Sequence, residues 1–294
     1  MNDIDDIVSV ANSSTQNKSF DKNAWMKKKQ EERKSAYDLI DKTATEIVSD
    51  SSKFKTYLDV QGRMNKYSVG NALLITTQMP NATQLKEFSD WKEAGAFIKK
   101  NANSIIILEP GDSYTRADGT QATSYNPKKM FDISQTTFKQ NNKLNDYDDK
   151  TKLTALLKDC PVNIKVVDEI SGTNRVAEWN KQDNVLYVKR GGETQDIFKE
   201  LSEELARATL EETGNASLDN FKCRCTSYML CKKYGIDVSS FNLESIPDSL
   251  KNMNSSEIRN ELGSMRNAME DINIRMGQHF ENISKKAKTK DLER

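Results

Sequence analysis

The sequence predicts an α+β protein built of two units, and three observations carry that prediction. Apolar residues recur at helical spacing from Lys22 to about Pro80. Two short β-forming runs follow, at 104–108 and 129–134. Beyond a polar stretch at 140–152 the order changes to a small sheet and then long helices. A chain of 294 residues suits two domains of ordinary size.

Taken in order, residues 1–20 are rich in Ser, Asn and Asp and read as a disordered tail. From Lys22 to Ser49 the apolar positions Trp25, Tyr37, Ile40, Ala44 and Ile47 mark a charged helix. A second helix spans about 53–64. A third opens after Tyr67, with Ser68 as its N-cap, and runs through Leu73, Leu74 and Ile75. A short helix at 87–94 carries Trp91. The β run at 104–108 is stopped by Glu109-Pro110-Gly111, and 129–134 alternates like a second strand. The first unit is therefore 21–139, and 140–152 reads as a linker.

The second unit, 153–285, opens with a short helix at 153–157 and a strand at 162–167. Runs at 175–179 and 185–188 are joined by a turn-rich Asn180-Lys181-Gln182-Asp183-Asn184. Helices through Glu203 and over 223–234 follow. Ile258, Leu262, Met265, Met269, Ile272, Met276 and Ile283 form a stripe of mostly 4-3 spacing, either a short coiled coil or a terminal helix packed on its own unit. Residues 286–294 read as a basic tail, solvated or adding affinity for phosphates.

Charge excludes little. Charged residues are 30% of the chain and balance 44 to 44, so any nucleic-acid surface must be a local patch. No apolar run approaches the roughly 18 residues of a membrane span. The acidic start lacks the layout of a signal peptide, and four cysteines do not describe a disulfide scaffold. A cytoplasmic protein is expected. Cys223, Cys225 and Cys231 cluster, but residues two apart on a helix diverge, which favours buried free thiols over a metal knuckle.

The middle of the second unit reads like a zinc-peptidase helix whose ligands have been replaced. An H-E-x-x-H helix needs two imidazoles four apart, both aimed at Zn²⁺, and a Glu beside the bound water. Glu203-Glu204-Leu205-Ala206-Arg207 occupies that pattern with Glu and Arg at the histidine positions, and the lone His279 is far away. A small sheet followed by such a helix is a zincin-like order.

Two stretches together resemble the ArdC-type antirestriction proteins of plasmids and conjugative transposons, including the LtrC-like branch of Gram-positive elements. The first runs from Tyr67-Ser68-Val69-Gly70-Asn71 through Gln78-Met79-Pro80, Trp91-Lys92-Glu93-Ala94-Gly95 and Phe131-Asp132-Ile133-Ser134. It is similar to the family's N-terminal domain, and the resemblance implies binding of single-stranded DNA with little sequence preference. The second rests on Ala177-Glu178-Trp179, Asn184-Val185-Leu186-Tyr187-Val188, the Glu204 helix and the segment from Tyr228 to Ile236. It looks like the family's zincin-type domain, related to the ImmA/IrrE metallopeptidases. Carried over residue by residue, the ligands fall on Glu203, Arg207 and, downstream, near Arg224, while Glu204 keeps the general-base position. The resemblance thus implies a pseudo-metallopeptidase with no catalytic set, no metal and no cofactor. Glu203, Arg207 and Arg224 are expected to form a salt-bridge network filling the former metal cavity.

Binding single strands without reading sequence takes a positive track and flat side chains on which bases stack. The cations placed for this are Lys66, Lys99, Lys100, Lys128 and Lys129, and the stacking groups Tyr67, Trp91 and Tyr125. Asn71 either donates to a phosphate or base or caps a neighbouring segment. Trp91 is equally readable as core. The functional expectation is a sequence-independent single-stranded DNA-binding protein of a mobile element, an accessory of conjugation or antirestriction. Its alternative is an interaction scaffold, engaging a protein partner through the second unit and residues 255–284. A third reading, hydrolysis, rests on Glu204 alone.

Overall fold

The computed structural model describes residues 21–139 and 147–292. The expected tail at 1–20, the first part of the expected linker and the last two residues of the basic tail lie outside them. Three helices open the chain: α1 (Lys22–Ser49), α2 (Ser51–Arg63) and α3 (Val69–Gln78). Asp50 ends α1 and caps α2, its carboxylate accepting from the Ser52 and Lys53 N–H groups, so α2 starts two residues before the expected point. Ser68 caps α3 through the Asn71 N–H at 3.3 Å, as its position implies.

A three-stranded antiparallel sheet of order β1-β3-β2 follows, from β1 (Leu85–Glu87), β2 (Ile105–Thr115) and β3 (Gln121–Asp132). The helix α4 (Phe88–Glu93) sits directly after β1. The expected stop at Glu109-Pro110-Gly111 does not occur. β2 is an edge strand, where a proline's missing N–H leaves no ladder bond unmade, and the register shifts between Pro110 and Ser113. The hairpin continues to a turn in which Arg116 N–H donates to Thr120 O and Gly119 takes a φ of 83°. The second expected strand likewise starts earlier and ends at Asp132, whose carboxylate caps a 3₁₀ turn, Ile133–Gln135.

The free edge of β2 is covered by α3. Asn71 exchanges both amide bonds with the Leu108 backbone, each at 2.8 Å, and Gln78 does the same with Ile106, also at 2.8 Å. Two side-chain amides thus do for this edge what a further strand would do.

In the second unit α5 (Asp149–Leu157) begins four residues before the expected helix, capped by Asp148. The sheet has order β4-β6-β5, from β4 (Asn163–Val167), β5 (Ala177–Asn180) and β6 (Val185–Lys189), with β4 parallel and β5 antiparallel to β6. The expected turn at 180–184 closes the hairpin, with Asn184 at a φ of 50°. Then come α6 (Thr194–Thr209), α7 (Ala216–Tyr234), the short α8 (Asp248–Lys251) and α9 (Ser255–Leu292). The α9 stripe from Ile258 to Met276 is buried against its own chain, which settles the choice against a coiled coil. The helix also carries through the basic run, where a separate tail was expected.

One apolar core runs through both units, from Ala36 on α1 to Met276 on α9. Gly62 makes this possible where α2 crosses α7: a Cβ there would lie 2.9 Å from the Met229 carbonyl oxygen. Polar bonds lace the same seam, Tyr228 Oη donating to Asp59 at 2.7 Å and Arg266 to the carbonyls of Asn65 and Tyr67. Among the described residues no helix is long and apolar enough to cross a membrane.

Candidate functional site

α6 presents Glu200, Glu203, Glu204 and Arg207 on adjoining turns. The Glu204 carboxylate is the buried centre, 1% exposed. Arg175 Nη1 lies 2.7 Å from its Oε1, the Trp179 N–H donates to its Oε2 at 3.1 Å, and Arg207 Nε lies 3.2 and 3.3 Å from the two oxygens. Glu200 accepts from the Val176 and Ala177 N–H groups at 2.7 and 3.2 Å. Carboxylates four apart on one helix therefore hold the N–H groups of 177 and 179, closing the edge of β5 to a further strand. Both Glu204 oxygens are engaged.

The expected network is present in altered form. Glu203 faces Arg207 at 3.5 Å and Arg175 at 3.8 Å. Arg175, which sequence reading did not single out, is the hub. Arg224 stays apart, with no carboxylate within 4 Å among the described residues, and it donates instead to the Asn242 carbonyl at 3.2 Å. The cavity is not filled: about 540 Å³ remains between α6, Arg224 and the loop Ser240-Phe241-Asn242. Burial pushes the Glu203 carboxyl up, against the pull of Arg175 and Arg224. A divalent cation here would sit among three guanidiniums, so these residues do not fit a metal. Among the described residues no three His, Cys, Asp or Glu converge as metal ligands. The thiols are buried on α7, with Cys223 pushed up to about 11 and Cys231 to about 12 by burial, which keeps them protonated.

The residues expected to meet nucleic acid divide. Asn71 is spent on Leu108, so it caps a neighbouring segment and offers nothing to a phosphate. Trp91 is 0% exposed and its indole N–H donates to Phe131 O at 2.8 Å, so it presents no face for stacking. Lys128 pairs with Glu87 at 2.8 Å, with Glu109 at 3.7 Å. Tyr67 is half-buried, its phenol raised by burial and by Glu109. Lys66 beside it is exposed, as is Lys129 on β3. Lys99 and Lys100 are exposed at a turn where Asn101 takes the left-handed conformation at φ 66°. Lys99 donates to Ser134 O at 2.7 Å, and both lysines open on a concavity of about 600 Å³ that also includes Met79, Asn103 and Gln135.

Three phenylalanines that sequence reading did not single out are exposed near the buried Trp91: Phe88 and Phe97 in sequence, and Phe138 against its ring. Phe97 is 70% exposed, Phe88 59% and Phe138 38%. Phe88 lies one turn before Trp91 on α4, and the Phe138 ring is 5.7 Å from the Trp91 ring. Phe97 exchanges bonds with Thr137, its N–H donating to Oγ1 and its carbonyl accepting the Thr137 N–H, both at 2.9 Å. The signal was present: with Ala96 and Ile98 turned inward, an extended segment places Phe97 and Lys99 together on the outside. Lys86, held 5.0 Å over the Trp91 ring, and exposed Lys92 add positive charge to the stretch that leads to Lys99 and Lys100, beside exposed Asp90 and Glu93.

The fold is of the ArdC type. The structure superposes on the antirestriction protein ArdC of plasmid R388 with a TM-score of 0.51 and 13% identity, over 72% of this chain and 86% of that one. In sequence it is 24% identical to an uncharacterized Bacillus anthracis protein, pXO2-81, over 77% of this chain. The chain spans about half, 48%, of that relative's length. No protein-family model matches it.

Proposed function

We propose that the chain binds single-stranded DNA without reading its sequence, as an accessory of conjugation or antirestriction on a mobile element. The observation that carries this reading is the patch on the first unit. Exposed rings at Phe88, Phe97 and Phe138 offer stacking faces, and Lys86, Lys92, Lys99 and Lys100 supply charge for phosphates. Exposed aromatic rings of this kind suit an interaction surface, and the lysines, which stand beside exposed Asp90 and Glu93, would draw a polyanion to it. The likeness to an antirestriction protein supports the same direction. The second unit then serves as a non-catalytic, zincin-like scaffold: a carboxylate neutralised by Arg175 and Arg207 activates no water. The α9 stripe is consumed in the core, which disfavours partner docking through it.

Phe97→Ala tests the patch. It removes an exposed ring with no core role, so the melting curve should not move. Affinity for a single strand should fall about ten-fold, the scale of one lost base stack. Unchanged affinity in Phe97→Ala and in a Lys99→Ala/Lys100→Ala double variant would move the binding surface elsewhere.

A further inference from the structure

The cavity beside α6 holds a charge pair left open. Asp196 is taken by Lys199 at 3.1 Å, and Glu200 by Arg175 and two backbone N–H groups. Glu203 and Arg224 remain. The two groups feel each other's charge, yet no N–O distance between them is 4 Å or less. Glu203 has only long guanidinium contacts, both to Oε1, and no hydrogen bond to its Oε2 among the described residues. Arg224 makes one backbone bond. Opposite charges at this range ordinarily close into a bidentate pair; here about 540 Å³ lies between the surrounding walls. Phe241, locked edge-on against Tyr228 at 5.6 Å, provides an apolar side.

A ligand bridging these groups needs donors for Glu203, an acceptor for Arg224 and an apolar face for Phe241. We infer that the cavity takes a guanine base, N1–H and N2–H donating to Glu203, O6 or N7 accepting from Arg224, and Phe241 against the ring. Guanine supplies both halves of that pattern on neighbouring edges. Thymine places carbonyl oxygens on either side of its one N–H, which a carboxylate repels. This site is separate from the phenylalanine patch and stands or falls independently of it.

Calorimetric titration of the full chain with dGMP, dIMP and dTMP tests the assignment without mutation. Saturable dGMP binding is expected, with dIMP, lacking the 2-amino donor, about ten-fold weaker and dTMP unbound. Glu203→Gln should weaken dGMP at least ten-fold while leaving single-strand binding at the Phe97 patch intact. A single guanine placed in an oligothymidylate then tells whether the base comes from a strand or a free nucleotide. Equal affinity for the three nucleotides, no dGMP binding, or undiminished dGMP binding by Glu203→Gln would overturn the assignment.

Discussion

Glu204 sits beneath two guanidiniums and a backbone N–H, so removing its charge leaves Arg175 and Arg207 without their closest partner. Glu204→Gln should cost about 3 kcal/mol in denaturant unfolding, the scale of breaking a buried ion pair on one side. Glu203 is opposed by burial more than it is helped by its cations, since its carboxyl is raised. A carboxyl raised in the folded state makes folding less favourable as pH rises through its titration. Glu203→Gln should therefore be neutral or stabilising at pH 7, with the gain vanishing in acid below the ordinary Glu value. Asp132 runs the other way. Burial pushes it up, but hydrogen bonds from Ser134, Thr83 and Gln84 outweigh that and hold it below the usual range. Its contribution is full above the ordinary Asp value and is lost as pH falls through the lower folded one. The pairing of Glu203 with Arg207 was legible in their four-residue spacing. Arg175 was not, because only the fold of β5 onto α6 brings it there.

At the scale of elements, the helices were readable and the hairpin was not. Caps at Asp50 and Ser68 and strong 3.6-residue periods mark helices locally. Pro110-Gly111 gives the same signal whether a strand ends or bulges at an edge, and the pairing with β3 decides. Asn71 shows the same limit: its sequence neighbours do not reveal that Leu108 is its partner. Asn71→Ala should cost roughly 2 kcal/mol by orphaning both Leu108 backbone groups, whereas an exposed phosphate contact would cost nothing in stability. Gly62→Ala should cost about 1–3 kcal/mol through the Met229 carbonyl, by overpacking the α2–α7 crossing. A melting curve of each variant checks both.

Across the whole molecule, balanced charge hides a local surface. The 44 positive and 44 negative side chains cancel in the sum, yet Lys86, Lys92, Lys99 and Lys100 share one stretch of chain with the exposed rings of Phe88 and Phe97. The α+β class followed from order and spacing, and resemblance to a known family implied the ArdC-type fold; the rings followed from neither, since exposure is a property of packing. The most direct test of the account is fluorescence anisotropy with a labelled oligonucleotide, as single strand and as duplex, across a range of salt. The account predicts tighter binding to the single strand, with a log–log salt slope of about −0.7 for each phosphate neutralised. Equal binding to duplex, or a flat salt dependence, would contradict it.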